Sequence, residues 1–133
     1  MKCNIHTCEC ACGLVQLRCT GEPVRTSIRH CFECQKRTGS VFGVQARFKK
    51  HQVVLNGNVI SFTRISDLGN NVQYEFCPAC GTTMRLLLSN VPGYAIIPIG
   101  LFDNKEFPNP TISIYEQRKH GWVSFECTME HID

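Results

Sequence analysis

Two stretches decide the reading of this chain: Cys10-Ala11-Cys12-Gly13 near its start and Cys77-Pro78-Ala79-Cys80-Gly81 past its middle. Each is a tight cysteine pair followed by a glycine that can turn the backbone so that both sulfurs face one point. Four thiolates in two such knuckles match the tetrahedral, all-sulfur environment of a structural zinc ion. More than sixty residues separate the pairs, too many for a local finger. A shared metal would therefore join distant parts of one fold. The competing reading is two unrelated pairs, packed as small apolar side chains or closed as disulfides.

Composition favours the metal. At 133 residues, 43% hydrophobic and 19% charged, the sequence reads as a single globular domain over residues 1–133, long enough to bury its own core. Ten cysteines would suit a disulfide framework in a secreted chain, but Met1-Lys2-Cys3-Asn4-Ile5-His6-Thr7-Cys8 contains no apolar run of the kind an export signal needs. No stretch has the length of a membrane span, since Tyr94-Ala95-Ile96-Ile97-Pro98-Ile99 is short and broken by proline. The expectation is a cytoplasmic protein whose thiols bind metal or do chemistry.

Outward from the second knuckle, Val72-Gln73-Tyr74-Glu75-Phe76 alternates apolar and polar residues as a half-buried strand does, and Met84-Arg85-Leu86-Leu87-Leu88 leaves the knuckle as another. Val53-Val54-Leu55, Asn56-Gly57 and Val59-Ile60-Ser61-Phe62 read as a hairpin closed by a type I′ turn. Asp67-Leu68-Gly69-Asn70-Asn71 is a second turn signal, and Thr111-Ile112-Ser113-Ile114-Tyr115 a further strand. One short helix is predicted near Glu33 to Arg37, ended by Gly39. The fold class expected is all-β with at most short helices.

A third close pair, Cys31 and Cys34, lies in Arg29-His30-Cys31-Phe32-Glu33-Cys34-Gln35-Lys36-Arg37-Thr38-Gly39. Helix-start amides and the cations Arg29, Lys36 and Arg37 favour thiolate over thiol there. Three uses fit these residues: a second metal site, a redox pair, or buried structural cysteines. As a metal site the pair needs a third ligand, for which His30, Cys8 and Glu33 are the nearby candidates.

The three motifs, in this order and spacing, resemble those of the glutathione-dependent formaldehyde-activating enzyme family, which includes the centromere protein V domain and has the Mss4-like zinc-containing β fold. The resemblance spans about Cys10 to Trp122. It implies a structural zinc on Cys10, Cys12, Cys77 and Cys80, and a second, catalytic-type zinc with Cys31 and Cys34 among its ligands. It also implies a carbon–sulfur lyase acting on adducts of glutathione, or a related thiol, with formaldehyde or another small aldehyde. His30 is then a candidate ligand or proton carrier, and Arg29, Lys36 and Arg37 are candidates to hold the carboxylates of a glutathione-like partner.

The chain departs from the family pattern where it bears on chemistry. Arg29 stands in place of the first cysteine of the Cys-His-Cys-x-x-Cys motif, and a permanently protonated guanidinium is no zinc ligand. Ser113-Ile114-Tyr115 replaces a stretch that often begins with histidine. The alternative expectation is thus a non-catalytic, zinc-stabilised binding module that has lost the second zinc. A nucleic-acid partner is suggested only by seven basic residues against one acid between Arg25 and Lys50, and no aromatic residues alternate with them as stacking platforms.

Overall fold

The computed structural model describes residues 4–133. Two sheets carry the chain. The smaller is antiparallel, in the order β1 (Ile5–Glu9), β2 (Gln16–Thr20), β5 (Val53–Asn56). The larger has eight strands in the order β11 (Glu130–His131), β10 (Ile112–Ile114), β3 (Arg25–Arg29), β4 (Gly43–Lys49), β9 (Tyr94–Pro98), β8 (Thr83–Leu88), β7 (Asn71–Phe76), β6 (Ile60–Ile65). The α-helix among the described residues is α1, Phe32–Thr38, which ends where Gly39 takes φ +72° and its amide donates to the Gln35 carbonyl. The fold is mostly β with short helical turns, as the sequence predicts.

Strand alternation builds two unlike faces. On β2, Leu17 and Cys19 point inward while Gln16, Arg18 and Thr20 face solvent. Leu17, Cys19 and Val53 meet Ala46, Phe48, Met84, Ala95 and Ile97 of the larger sheet in the main core. Side chains as fully buried as Phe48, Leu17 and Ile97 are each worth about 1.5–3 kcal/mol. The opposite face of the larger sheet carries a smaller apolar cluster, Val72, Leu86 and Ile96. It also carries Arg25, Arg29 and Arg47, with Arg25 directly opposite Arg47 across the β3–β4 ladder. Like charges in that position destabilise a sheet.

The predicted strands around the second knuckle form as β7 and β8, and Gly69, at φ +84°, turns β6 into β7. The predicted hairpin over residues 53–62 does not form. β5 pairs with β2 and β6 pairs with β7, so the Asn56-Gly57 turn hands the chain from one sheet to the other. Gly57 is needed at this crossing: it holds φ +107°, and a Cβ there would stand 2.6 Å from the Leu14 carbonyl oxygen. The strand predicted near residue 112 forms as β10, which runs parallel to β3 and so joins the larger sheet from a distant part of the chain.

Candidate metal centre and thiol cavity

The first knuckle leaves β1 of the small sheet and the second joins β7 to β8 of the large one, so the two pairs meet across the sandwich. Both use the same backbone device. Cys10 N–H donates to the Val15 carbonyl at 2.9 Å and Gly13 N–H to the Cys10 carbonyl at 3.0 Å. Cys77 N–H donates to the Thr82 carbonyl, and Gly81 N–H to the Cys77 carbonyl, both at 2.9 Å. Gly13 and Gly81 sit at φ +83° and +78°. The four sulfurs lie within 4.8 Å of one another.

These sulfurs fit zinc. A tetrahedral ion with bonds of ~2.3 Å needs sulfurs ~3.8 Å apart, and Cys12 Sγ lies 3.6 Å from Cys10 Sγ and 3.7 Å from Cys77 Sγ. Val15 N–H and Ala79 N–H donate to the sulfurs of Cys10 and Cys77 at 3.3 and 3.4 Å, and the Val15 amide favours the Cys10 thiolate. Thr82 staples the knuckles: its hydroxyl accepts from Ala11 N–H at 3.1 Å and stands 3.1 Å from Cys80 Sγ. That hydroxyl, with the Thr82 amide, draws the Cys80 thiol down to about 5. Cys12 is pushed up to about 12: the Leu14 amide favours its thiolate, but desolvation and the three neighbouring sulfurs outweigh it. Such a cluster ionises fully only around a cation.

The second site lies on the opposite face of the large sheet. Cys31 precedes α1, and Cys34, within its first turn, is buried. Cys31 opens into a cavity of about 460 Å³ floored by Val72, Leu86 and Ile96. Arg29 of β3, Arg47 of β4, Arg64 of β6, Lys36 and Arg37 of α1, and Arg118 line it, against the acids Glu33 and Asp67. Among the described residues the Nε atoms of Arg29, Arg37 and Arg47, and one terminal nitrogen of Arg37, are buried without a hydrogen-bond partner. Four guanidiniums are backed by aromatic rings: Arg29 by Tyr115 at 5.8 Å, Arg47 by Tyr94 at 5.7 Å, Arg64 by Tyr74 at 5.8 Å and Arg118 by Phe32 at 4.4 Å. Arg64 also donates to the Tyr74 hydroxyl at 2.7 Å and lies 3.9 Å from Glu33. Tyr115 adopts the left-handed conformation at φ +63°, a strained choice for a tyrosine that turns the chain beneath Arg29.

This setting splits the two thiols. A hydrogen bond from Cys34, then the Cys34 amide and the charges of Arg29 and Arg64, bring Cys31 down to about 6 against the cost of burial. Cys34 moves strongly upward, because it is the donor of that pair and because it is buried. Burial, followed by Arg25 and Arg29 nearby, depresses Arg47, which marks how crowded the cations are.

Residues 5–118 match the family described as glutathione-dependent formaldehyde-activating enzyme. The chain belongs to this family. A crystal structure of a Rhodobacter sphaeroides protein matches 78% of this chain and 91% of its own, with a TM-score of 0.59 and 16% identity, a likeness that shows the fold alone. No curated protein matches.

Within this family setting, the structure brings Cys10, Cys12, Cys77 and Cys80 together, and it brings Cys31, Cys34, Arg29, Lys36 and Arg37 to one cavity. His30 lies elsewhere. Fully buried, it bonds Ser113 Oγ through Nε2 at 2.9 Å and packs between Phe42 and Phe125. Cys8 sits in the main core, where burial pushes its thiol up to about 12, and does not reach Cys31. Glu33 lines the cavity, yet the cluster of three or more metal-ligating side chains among the described residues is the four-cysteine one. Two thiols facing guanidiniums do not fit a second zinc.

Sequence reasoning missed Arg47, Arg64, Arg118, Tyr74 and Tyr115 as cavity residues. A signal existed for Arg47: Arg25, Ser27 and Arg29 alternate on one strand, as do Gln45 and Arg47 on the next. Arg64 and Arg118 arrive from distant elements and carry no local signature. The basic run read from Arg25 to Lys50 is not one surface, since Arg29, Lys36, Arg37 and Arg47 line the cavity while Lys49 and Lys50 are exposed at the end of β4.

Proposed function

We propose that this chain is a carbon–sulfur lyase acting on a small anionic thiol adduct, of the kind glutathione forms with formaldehyde or another small aldehyde, without a second zinc. One observation carries the reading: the cavity that exposes a thiolate-prone Cys31 also holds guanidiniums lacking both counter-charge and hydrogen-bond partners. Such a site favours a ligand bearing carboxylates and a reactive sulfur-bound carbon. Arg29, Arg37 and Arg47 take the carboxylates, with Lys36 at the rim. The floor of Val72, Leu86 and Ile96 covers the adduct's methylene stem and limits water near the reacting carbon.

Cys31 Sγ accepts the proton of the adduct hydroxyl. The freed electron pair forms the aldehyde C=O as the carbon–sulfur bond breaks. Its electrons stay on the departing sulfur, which a guanidinium hydrogen bond holds as thiolate. The reverse sequence adds the thiol to the aldehyde. His30, hydrogen-bonded to Ser113 and enclosed by Phe42 and Phe125, keeps the strand end in place and takes no part in the proton transfer. Cys10, Cys12, Cys77 and Cys80 would hold a zinc ion whose contribution is to couple metal binding to folding.

Exchange NMR on glutathione, formaldehyde and their adduct tests this. Enzyme should speed interconversion, and Cys31→Ser should lose at least about 100-fold of that effect, in the range of lost general-base catalysis. Unaltered exchange with no binding would overturn the reading. Binding without acceleration would favour the second reading, a non-catalytic zinc-stabilised module, for which Arg29 at the position of a ligand cysteine is the specific support.

A further inference from the structure

We propose that Cys31 and Cys34 also form a reversible dithiol–disulfide pair that exchanges with a small anionic disulfide of the glutathione class. Both thiols are free: Cys31 immediately precedes α1, Cys34 follows three residues on in its first turn, and both line the same cavity. Their exposures are unequal in a useful sense. Cys31 faces the cavity and Cys34, 5% exposed, lies behind it with the Gln45 amide 3.9 Å from its sulfur. One sulfur can meet an incoming disulfide and the other is screened from it. With no third metal-ligating side chain gathered there among the described residues, the pair is open to this use.

The other described cysteines outside the metal centre offer no equivalent. Cys8 and Cys19 are both enclosed in the main core, and Cys127, half-exposed, points its sulfur at the Pro110 carbonyl. Among the described residues, Cys31 is the reachable sulfur that stands both beside a second free thiol and among cations that would hold a carboxylate-bearing disulfide.

The exchange balances. Cys31 thiolate attacks one sulfur of the small disulfide, that S–S bond breaks, and one thiolate leaves to take a proton from water. Cys34 gives its proton to water and attacks Cys31 Sγ, and the mixed disulfide breaks to release the second thiol. The protein has lost two electrons and the small disulfide has gained two. Excess reduced thiol runs the steps backwards.

This inference shares with the adduct reading the cation-lined cavity, but not its chemistry, and the tests separate. The full chain, with its metal retained, is equilibrated in mixtures of reduced and oxidised glutathione. It is then acid-quenched, alkylated and mapped by peptide mass. Cys31 and Cys34 should become linked as the oxidised fraction rises and be freed by reduced glutathione, with zinc content unchanged. Cys34→Ser should collect glutathione on Cys31 at least about tenfold faster than on Cys127, as thiolate character dictates. Cys31→Ser should leave Cys34 unmodified. A pair that stays reduced in excess oxidised glutathione overturns the proposal, as does oxidation that occurs only with zinc loss, or equal labelling of Cys127. A chain that passes here but shows no adduct turnover loses the adduct reading alone, and the converse holds equally.

Discussion

The four-cysteine centre and the Cys31–Cys34 cavity lie on opposite faces of the large sheet, and both are built on closely spaced cysteine pairs. They differ in what surrounds the sulfurs. At the first, two knuckles from two sheets converge, backbone amides donate to the Cys10 and Cys77 sulfurs, and four cysteine sulfurs face one point. At the second, two sulfurs face five guanidiniums and an ammonium. The first arrangement calls for a cation. The second already has cations, so it calls for an anion and leaves its thiolate free to react. Spacing alone does not decide what a cysteine pair does; the neighbouring charge does.

The largest effect expected is at the centre. Cys77→Ser removes a ligand from a site whose metal affinity, about 10–16 kcal/mol in small zinc domains, is coupled to folding. Loss of cooperative unfolding and of zinc should follow, read by thermal melts and metal analysis. A folded variant with full zinc would dissolve the contrast. At the cavity, Arg29→Cys exchanges a cation for a third thiolate and should convert the second site toward the character of the first. One additional zinc per chain is expected from metal analysis of that variant; if none binds, the mapping of position 29 onto a shared metal point is wrong.

A smaller effect is electrostatic. Alkylation of Cys31 should follow a titration near pH 6, the value its neighbours set, whereas alkylation at Cys127 serves as the comparison. The sign for stability follows. Between about 6 and the ordinary thiol value of 9.0, the folded chain has lost a proton that the unfolded chain keeps, so Cys31 makes stability rise with pH across that window. The contribution is complete above 9 and vanishes as pH falls through 6. Denaturant midpoints should show this slope, and Cys31→Ser should reduce it, leaving the part that the lowered Cys80 thiol contributes. The smallest effect concerns the staple. Thr82→Val keeps the shape but removes the hydroxyl shared by Ala11 N–H and Cys80, for a loss of about 1 kcal/mol in chemical denaturation. A loss as large as that of Cys77→Ser would mean the threonine, rather than the metal, holds the knuckles.

Much of the first region was legible from sequence. Cys10, Cys12, Cys77 and Cys80 carry their glycines beside them, and strict alternation marks β7. Gly39 ends α1 where a left-handed residue is needed. The sheet partners of β5 and β6 were not legible: Asn56-Gly57 specifies a tight turn, but nothing local says that the strands on either side belong to different sheets. The cavity was half legible. Cys31, Cys34 and Arg29 stand in one motif, while Arg64 and Arg118 reach it only through tertiary packing. Tyr115 gave no sign of a left-handed backbone, because tyrosine has no preference for one.

Zinc per chain, measured on protein never exposed to chelator and again after chelator challenge, tests the contrast most directly. One zinc is expected, retained under challenge and lost together with the fold, and none held by Cys31 and Cys34. Two zincs of equal resistance would contradict it, because the guanidinium-lined pair would then be a metal site like the other.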